Sequence, residues 1–190
     1  MMKDLKLLLV IGIFFGLVGC GEDEGNPPTG YLTVYEATPC SQGENMLTIG
    51  NPNSGTNTYT LSSGLNRAAQ LFTVTCNGAT PGISMYLQSV SSSQSVAFDL
   101  YRGRIGLGTR IGSDSFTVGT SGQAYIIFSG DNIPLEAGES YWIRIQAGSG
   151  GLKIGYVTGN TNSDLTGYTS SDALTYTAQS YDFSMSLNSQ

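Results

Sequence analysis

From residue 31 to the end of the chain, apolar side chains recur at every second position, in short runs separated by turn residues. Ile83, Met85 and Leu87 alternate with Ser84, Tyr86 and Gln88, and Val96, Phe98 and Leu100 with Ala97, Asp99 and Tyr101. Tyr141, Ile143 and Ile145 alternate with Trp142, Arg144 and Gln146, and Phe183, Met185 and Leu187 with Asp182, Ser184 and Ser186. Ala124, Ile126 and Phe128 are set in the same way against Tyr125, Ile127 and Ser129. Successive side chains of a strand point to opposite faces, so this period buries one face of each strand. Antiparallel sheets packed together have that requirement. No window of helical length carries the 3.6 period of a helix. Further strands are expected near 31–36, 46–49, 70–75 and 152–157, with Gly, Ser, Asn and Pro clusters as turns. About nine or ten such strands predict an all-β fold, an antiparallel two-sheet β-sandwich over residues 31–190.

The first nineteen residues follow another rule. Lys3 and Lys6 give a positive start, and residues 7–18 are then apolar apart from Gly12 and Gly16. A run of that length suits the core of a signal peptide and falls short of the about 20 residues that a spanning helix needs. It ends in Leu17-Val18-Gly19-Cys20. These four residues match the lipobox, and the segment resembles the signal peptide of bacterial lipoproteins. The resemblance implies cleavage before Cys20, diacylglycerol on its sulfur and often a third acyl chain on the new amino terminus. Two or more chains are what stable anchoring requires. Residues 20–30, with Glu22, Asp23, Glu24, Asn26, Pro27 and Pro28, cannot bury apolar surface and are expected to be a disordered tether. Gly21 stands where lipoproteins kept at the inner membrane usually carry Asp. By the same resemblance this points to the outer membrane or cell surface of a bacterium.

Removal of residues 1–19 takes away Lys3, Lys6 and Asp4 and leaves six basic and thirteen acidic residues, a net charge of −7. That balance excludes nucleic acid as a partner and adhesion to anionic lipid by charge. The lipid is then the expected membrane attachment. Few charges among many Gly, Ser, Thr, Asn and Tyr residues suit an extracellular β-sandwich. With Cys20 lipidated, Cys40 and Cys76 remain. An even pair in an exported domain reads as a disulfide, and two buried free thiols are the alternative.

Gln70-Leu71-Phe72-Thr73 precedes the runs 83–90 and 96–101; then come Ile133-Pro134-Leu135-Glu136-Ala137-Gly138-Glu139-Ser140-Tyr141-Trp142 and, near the end, Asp182-Phe183. This order resembles the jelly-roll domains of bacterial secreted and surface proteins called choice-of-anchor domains, over roughly residues 45–188. The resemblance implies a jelly-roll sandwich similar to carbohydrate-binding modules.

The chain has no histidine, which removes Ser-His-Asp and Cys-His catalysis and most zinc sites. Sugar hydrolysis would need two converging carboxylates, and most acids here are scattered. Binding is the better expectation, of a glycan or of a surface protein. Trp142, Arg144 and Gln146 share one strand face, with Asp99 and Tyr101 on a neighbouring run. An indole beside a guanidinium and an amide suits a sugar. The other reading is a buried Trp142 with Arg144 paired across to Asp99. Arg102, Arg104 and Arg110 fit either an acidic ligand or a hairpin that guards an edge strand. Tyr156, Tyr168, Tyr176 and Tyr181 lie in glycine-rich surroundings suited to recognition or to the core. The glycines at 103, 106, 108 and 112 miss dinucleotide spacing and read as a loop. Asp164 and Asp172 with Asn160 and Asn162 offer oxygen ligands of the kind calcium takes, without EF-hand spacing.

Overall fold

The computed structural model describes residues 38–159 and 164–190. The signal peptide, Cys20, the tether and the strand expected at 31–36 lie outside the described residues, as do Asn160 and Asn162. Among the described residues there are fifteen strands and no helix. They are β1 (Asn45–Ile49), β2 (Thr58–Leu61), β3 (Arg67–Phe72), β4 (Gly78–Thr80), β5 (Ile83–Ser89), β6 (Gln94–Arg102), β7 (Thr109–Val118) and β8 (Gln123–Ile127). There follow β9 (Ile133–Leu135), β10 (Tyr141–Ala147), β11 (Leu152–Thr158), β12 (Thr166–Ser170), β13 (Thr177–Ala178), β14 (Tyr181–Phe183) and β15 (Met185–Asn188).

Two large antiparallel sheets carry the fold. In the seven-stranded sheet, β5 pairs with β8 on one side and with β15 and β11 on the other; β1 lies beyond β15, and β2 and β14 beyond β11. The six-stranded sheet runs β13-β12-β3-β10-β6-β7. β4 and β9 form a small separate pair. Register explains the core. Ile143 sits between Gln70 and Leu100, and Ile145 between Ala68 and Phe98. Ile83, Met85, Leu87, Leu152, Ile154, Met185 and Leu187 of the other sheet are buried in the same core. Each large side chain removed from water in this way contributes about 1.5–3 kcal/mol.

Three details depart from the sequence pattern. On β8 the inward residues are Tyr125 and Ile127, while Ile126 is 63% exposed. Phe128 is nevertheless buried, because its φ of 58° turns the chain and brings its ring inward one position later. The run from Phe183 to Leu187 is divided between β14 and β15, which pair with different strands; between them the Ser184 N–H donates to the Gly155 carbonyl at 2.9 Å. Gly112 belongs to β7 rather than to a loop, and only 103–108 is irregular.

Cys40 and Cys76 form a disulfide, with Cα atoms 5.1 Å apart. The chain-entropy model values closure of a loop of this size at about 4 kcal/mol. The C-terminus is held beside it: the Gly43 N–H donates to Ser189 O at 3.0 Å and the Ser189 N–H to Glu44 O at 2.8 Å.

The two sheets meet where β12 crosses β14. A Cβ on Gly167 would collide with the Tyr181 carbonyl, so a glycine is needed for the backbones to approach. Beside this contact Gln70, fully buried on β3, donates Nε2 to Asp182 Oδ1 at 3.1 Å and accepts the Phe183 N–H on Oε1 at 2.6 Å. Burial pushes the Asp182 carboxyl above the usual carboxylate range, and the bonds from Gln70 and the Gly167 N–H oppose that. For an acid with a raised folded pKa, stability is fully present below the ordinary carboxylate value and is lost as pH rises through the folded one. Gln70→Met is expected to cost about 2–5 kcal/mol, because the buried Asp182 carboxylate loses one of its donors and the Phe183 N–H loses its acceptor. The loss should be larger at pH 7 than at pH 4, and thermal melts at the two values check this.

Candidate functional site

Period two places the candidate residues of β10 on the outer face of the six-stranded sheet. Trp142 lies between Leu71 and Tyr101, Arg144 between Ala69 and Asp99, and Gln146 between Arg67 and Ala97. The structure thus brings Trp142, Arg144, Gln146, Asp99 and Tyr101 together. Trp142 is no open platform, however, being 3% exposed. Its ring stacks on Tyr101 with centroids 4.1 Å apart at 9°, and meets Tyr176 edge-on at 5.8 Å. The loop 103–108 closes the third side: a Cβ on Gly108 would lie 2.8 Å from Trp142 Nε1.

Asp99 is the acceptor at the centre of this face. Its Oδ2 takes Arg144 Nε at 3.1 Å and Nη2 at 2.5 Å, and its Oδ1 takes Arg110 Nη1 at 3.2 Å. The Arg144 guanidinium also sits 5.5 Å from the Tyr101 ring centre. Of the two readings of Trp142, the buried indole with an Arg144–Asp99 pair is the one found.

Arg102, Arg104 and Arg110 have separate surroundings. Arg102 pairs with Glu136 at 2.8 Å and Glu139 at 3.4 Å, both exposed, so these bonds add little stability. Arg104 is exposed on the turn and Arg110 is bound to Asp99. Asp172 is occupied in closing its own turn: Oδ1 accepts the Leu174 and Thr175 N–H groups and the Ser170 hydroxyl, which hold its carboxyl well below the usual range. Among the described residues no three His, Cys, Asp or Glu side chains gather in a way that could hold a metal ion.

A better-formed concavity lies where the sheets part, between the edge strands β7 and β8. It has a volume of about 360 Å³. Its lining is aromatic: Phe116, Tyr125 and Phe128 face it, and Phe116 stacks on Tyr125 at 5.3 Å and, behind the lining, on the buried Phe98 at 5.0 Å, with planes within 19°. Ile126, Ser129 and Asp131 form the rim. Asp114 braces the gap, since Oδ1 accepts the Ser115 N–H and Oδ2 the Phe128 N–H, both at 2.7 Å. Phe128 and Asn132 hold left-handed backbone at φ 58° and 48°, a strain of about 1 kcal/mol each. Such strain is found where a surface must keep its shape. Half-buried rings next to hydroxyls and carboxylates can stack on the C–H face of a sugar and accept its hydroxyls. Two carboxylates, Asp114 and Asp131, do line this cleft, but both Asp114 oxygens already accept backbone N–H groups.

Phe116 and Tyr125 had not been singled out from the sequence. Their signal is modest: two aromatics on either side of a turn containing Gly119 and Gly122. The chain matches no protein-family model and no curated protein sequence.

Trp142 is the only tryptophan. Its emission should be blue-shifted and shielded from iodide. Gly108→Ala should push the loop off the indole, shift the emission to the red and cost about 1–3 kcal/mol. Fluorescence and melting of that variant are the check.

Proposed function

We propose that this chain is a lipid-anchored extracytoplasmic binding module that takes a neutral glycan in the cleft between β7 and β8. The observation that carries the reading is the cleft itself, an aromatic lining with a hydroxyl and carboxylate rim on a braced backbone. Its acids disfavour uronic acids there and leave neutral or amino sugars. The lipobox at 17–20 and the Cys40–Cys76 disulfide support export, and the signal peptide, tether and domain order supports display from the outer membrane or cell surface. Jelly-roll connectivity, similar to that of carbohydrate-binding modules, is part of the proposal.

The test is a glycan array probed with the mature chain at high micromolar concentration. Retention of neutral oligosaccharides is expected, and Ser129→Tyr, which fills the cleft from an exposed position, should abolish it without lowering the melting temperature. No retention by the parent chain, or retention untouched by Ser129→Tyr, overturns the reading. For the anchor, metabolic palmitate labelling should mark the chain and vanish in Cys20→Ala.

A structural or assembly lipoprotein with protein partners is the second reading. It is favoured by Ile126, an exposed apolar side chain on an edge strand that borders both the 360 Å³ cleft and a neighbouring one of about 300 Å³. A discrete cross-link from position 126 to one surface protein, with no glycan retained, is the outcome that would select it.

A further inference from the structure

The outer face of the six-stranded sheet has more donors than acceptors. Three guanidiniums, Arg67, Arg110 and Arg144, share one carboxylate, Asp99, and two of them are bound to it. Arg67 is 8% exposed and donates Nη1 to the Gly64 and Asn66 carbonyls at 2.7 and 3.1 Å; among the described residues no carboxylate pairs with it. A sheltered cation held by carbonyls alone is further stabilised when a counter-charge arrives. Next to it the buried Tyr176 hydroxyl donates to no group among the described residues, with the Arg144 guanidinium close to its oxygen, and Trp142 Nε1 is buried without a partner by the 103–108 loop. Gln146, the register partner of Arg67, makes no side-chain hydrogen bond among the described residues. Opposite Gln146 stands Ala97, and opposite Arg144 stands Ala69, which is fully buried with Tyr168 beside it on β12, so room for a ligand between the two arginines opens when Tyr176 moves aside.

Every unsatisfied group named here is an N–H or O–H donor, or an amide that has one. The complementary ligand is therefore acceptor-only and negative. We propose that this face holds an oxyanion, a carboxylate or sulfate group, between Arg67, Arg144 and Gln146 and beneath Tyr176. Planar guanidiniums with several parallel N–H bonds suit such groups. Arg144 and Gln146 are the reachable part of the site, and Tyr176 is its cover. Electrostatics agree: desolvation and then the neighbouring Arg144 charge lower the Arg67 pKa, while burial raises that of Tyr176 against the pull of both arginines. In a mature chain of net charge −7, a face with two uncompensated positive charges is not the product of general composition. The proposal is independent of the glycan cleft, which lies at the sheet edge and carries acids.

The test uses the full mature chain in detergent, titrated at constant ionic strength with sodium sulfate, oligogalacturonate and a neutral oligosaccharide. Emission from Trp142 is the reading, because Tyr176 rests on that ring and must shift to admit an anion. A saturable change with sulfate and oligogalacturonate is expected, and none with the neutral sugar. Equal affinity for both anions identifies a free oxyanion as sufficient; preference for the oligomer identifies an acidic glycan. Tyr176→Phe removes a hydroxyl that donates to no group of the described residues, so the melting temperature should change little while affinity falls about tenfold, the worth of one bond to a charged group. Gln146→Ala, at a half-buried position, should weaken binding in the same direction. Ser129→Tyr, which blocks the cleft, should leave the response intact, so failure here and failure of the glycan reading are separable. No saturable response to either anion, or a response unchanged in both Tyr176→Phe and Gln146→Ala, overturns the proposal.

Discussion

The closing of one sheet on the other is the constraint on which the rest of this structure depends, and the two edges meet it with different side chains. Where β12 crosses β14, glycine at 167 lets backbone approach backbone, and Gln70 and the Gly167 N–H both bond the Asp182 carboxyl there. At the opposite edge three aromatic rings, Phe98 of β6, Phe116 of β7 and Tyr125 of β8, stack in a row from one sheet to the other. At this edge the Asp114 carboxylate bridges an N–H of β7 and an N–H beyond β8. The cleft follows from this geometry: close packing of the rings leaves a concavity beside them that no side chain of the described residues fills.

The outer face of the six-stranded sheet obeys a different rule. Its interactions are few, and most converge on Asp99, which lies in the middle of the sheet with its side chain only 10% exposed. A carboxylate so placed orients Arg144 by two bonds to one oxygen, and that guanidinium in turn sits against Tyr101, which carries Trp142. The arrangement runs from charge to cation–π contact to ring stack, so the indole is held by a chain of contacts that starts at one acid.

Much of this was legible in the sequence, because burial of one face per strand leaves a local imprint. The strands around Ile83, Val96, Tyr141 and Leu152 are found where period two places them. So is the facing of Trp142, Arg144 and Gln146, since side-chain direction on a strand follows from position alone. What covers that face was not legible. Tyr176 and the loop at 103–108 reach Trp142 from distant parts of the chain, and no local pattern reports such an approach. β7 was missed for the converse reason: an edge strand with one partner needs little apolar alternation, and Thr109 to Ser115 has almost none. On β8 the alternation was read one residue out of phase, because a positive φ at Phe128 restores an inward ring where strand geometry would send it outward.

Two buried phenols without acceptors among the described residues show how surroundings decide what an unpaired group means. Tyr181 is packed among Tyr59, Tyr156 and Phe183, with ring centroids 4.7 to 5.8 Å away, and burial together with those neighbouring phenols raises its pKa far above the ordinary value. Nothing near it carries a positive charge that a ligand could share, so the missing bond is the cost of a tightly packed aromatic corner. The Tyr176 hydroxyl likewise donates to no group among the described residues, yet the groups acting on it are Arg144, which reaches its oxygen, and Arg67, both cationic. A hydroxyl that donates beside two guanidiniums is complementary to an anion and to little else. The same defect is thus a packing cost in one place and half of a binding site in the other, and the difference lies in the sign of the charge nearby.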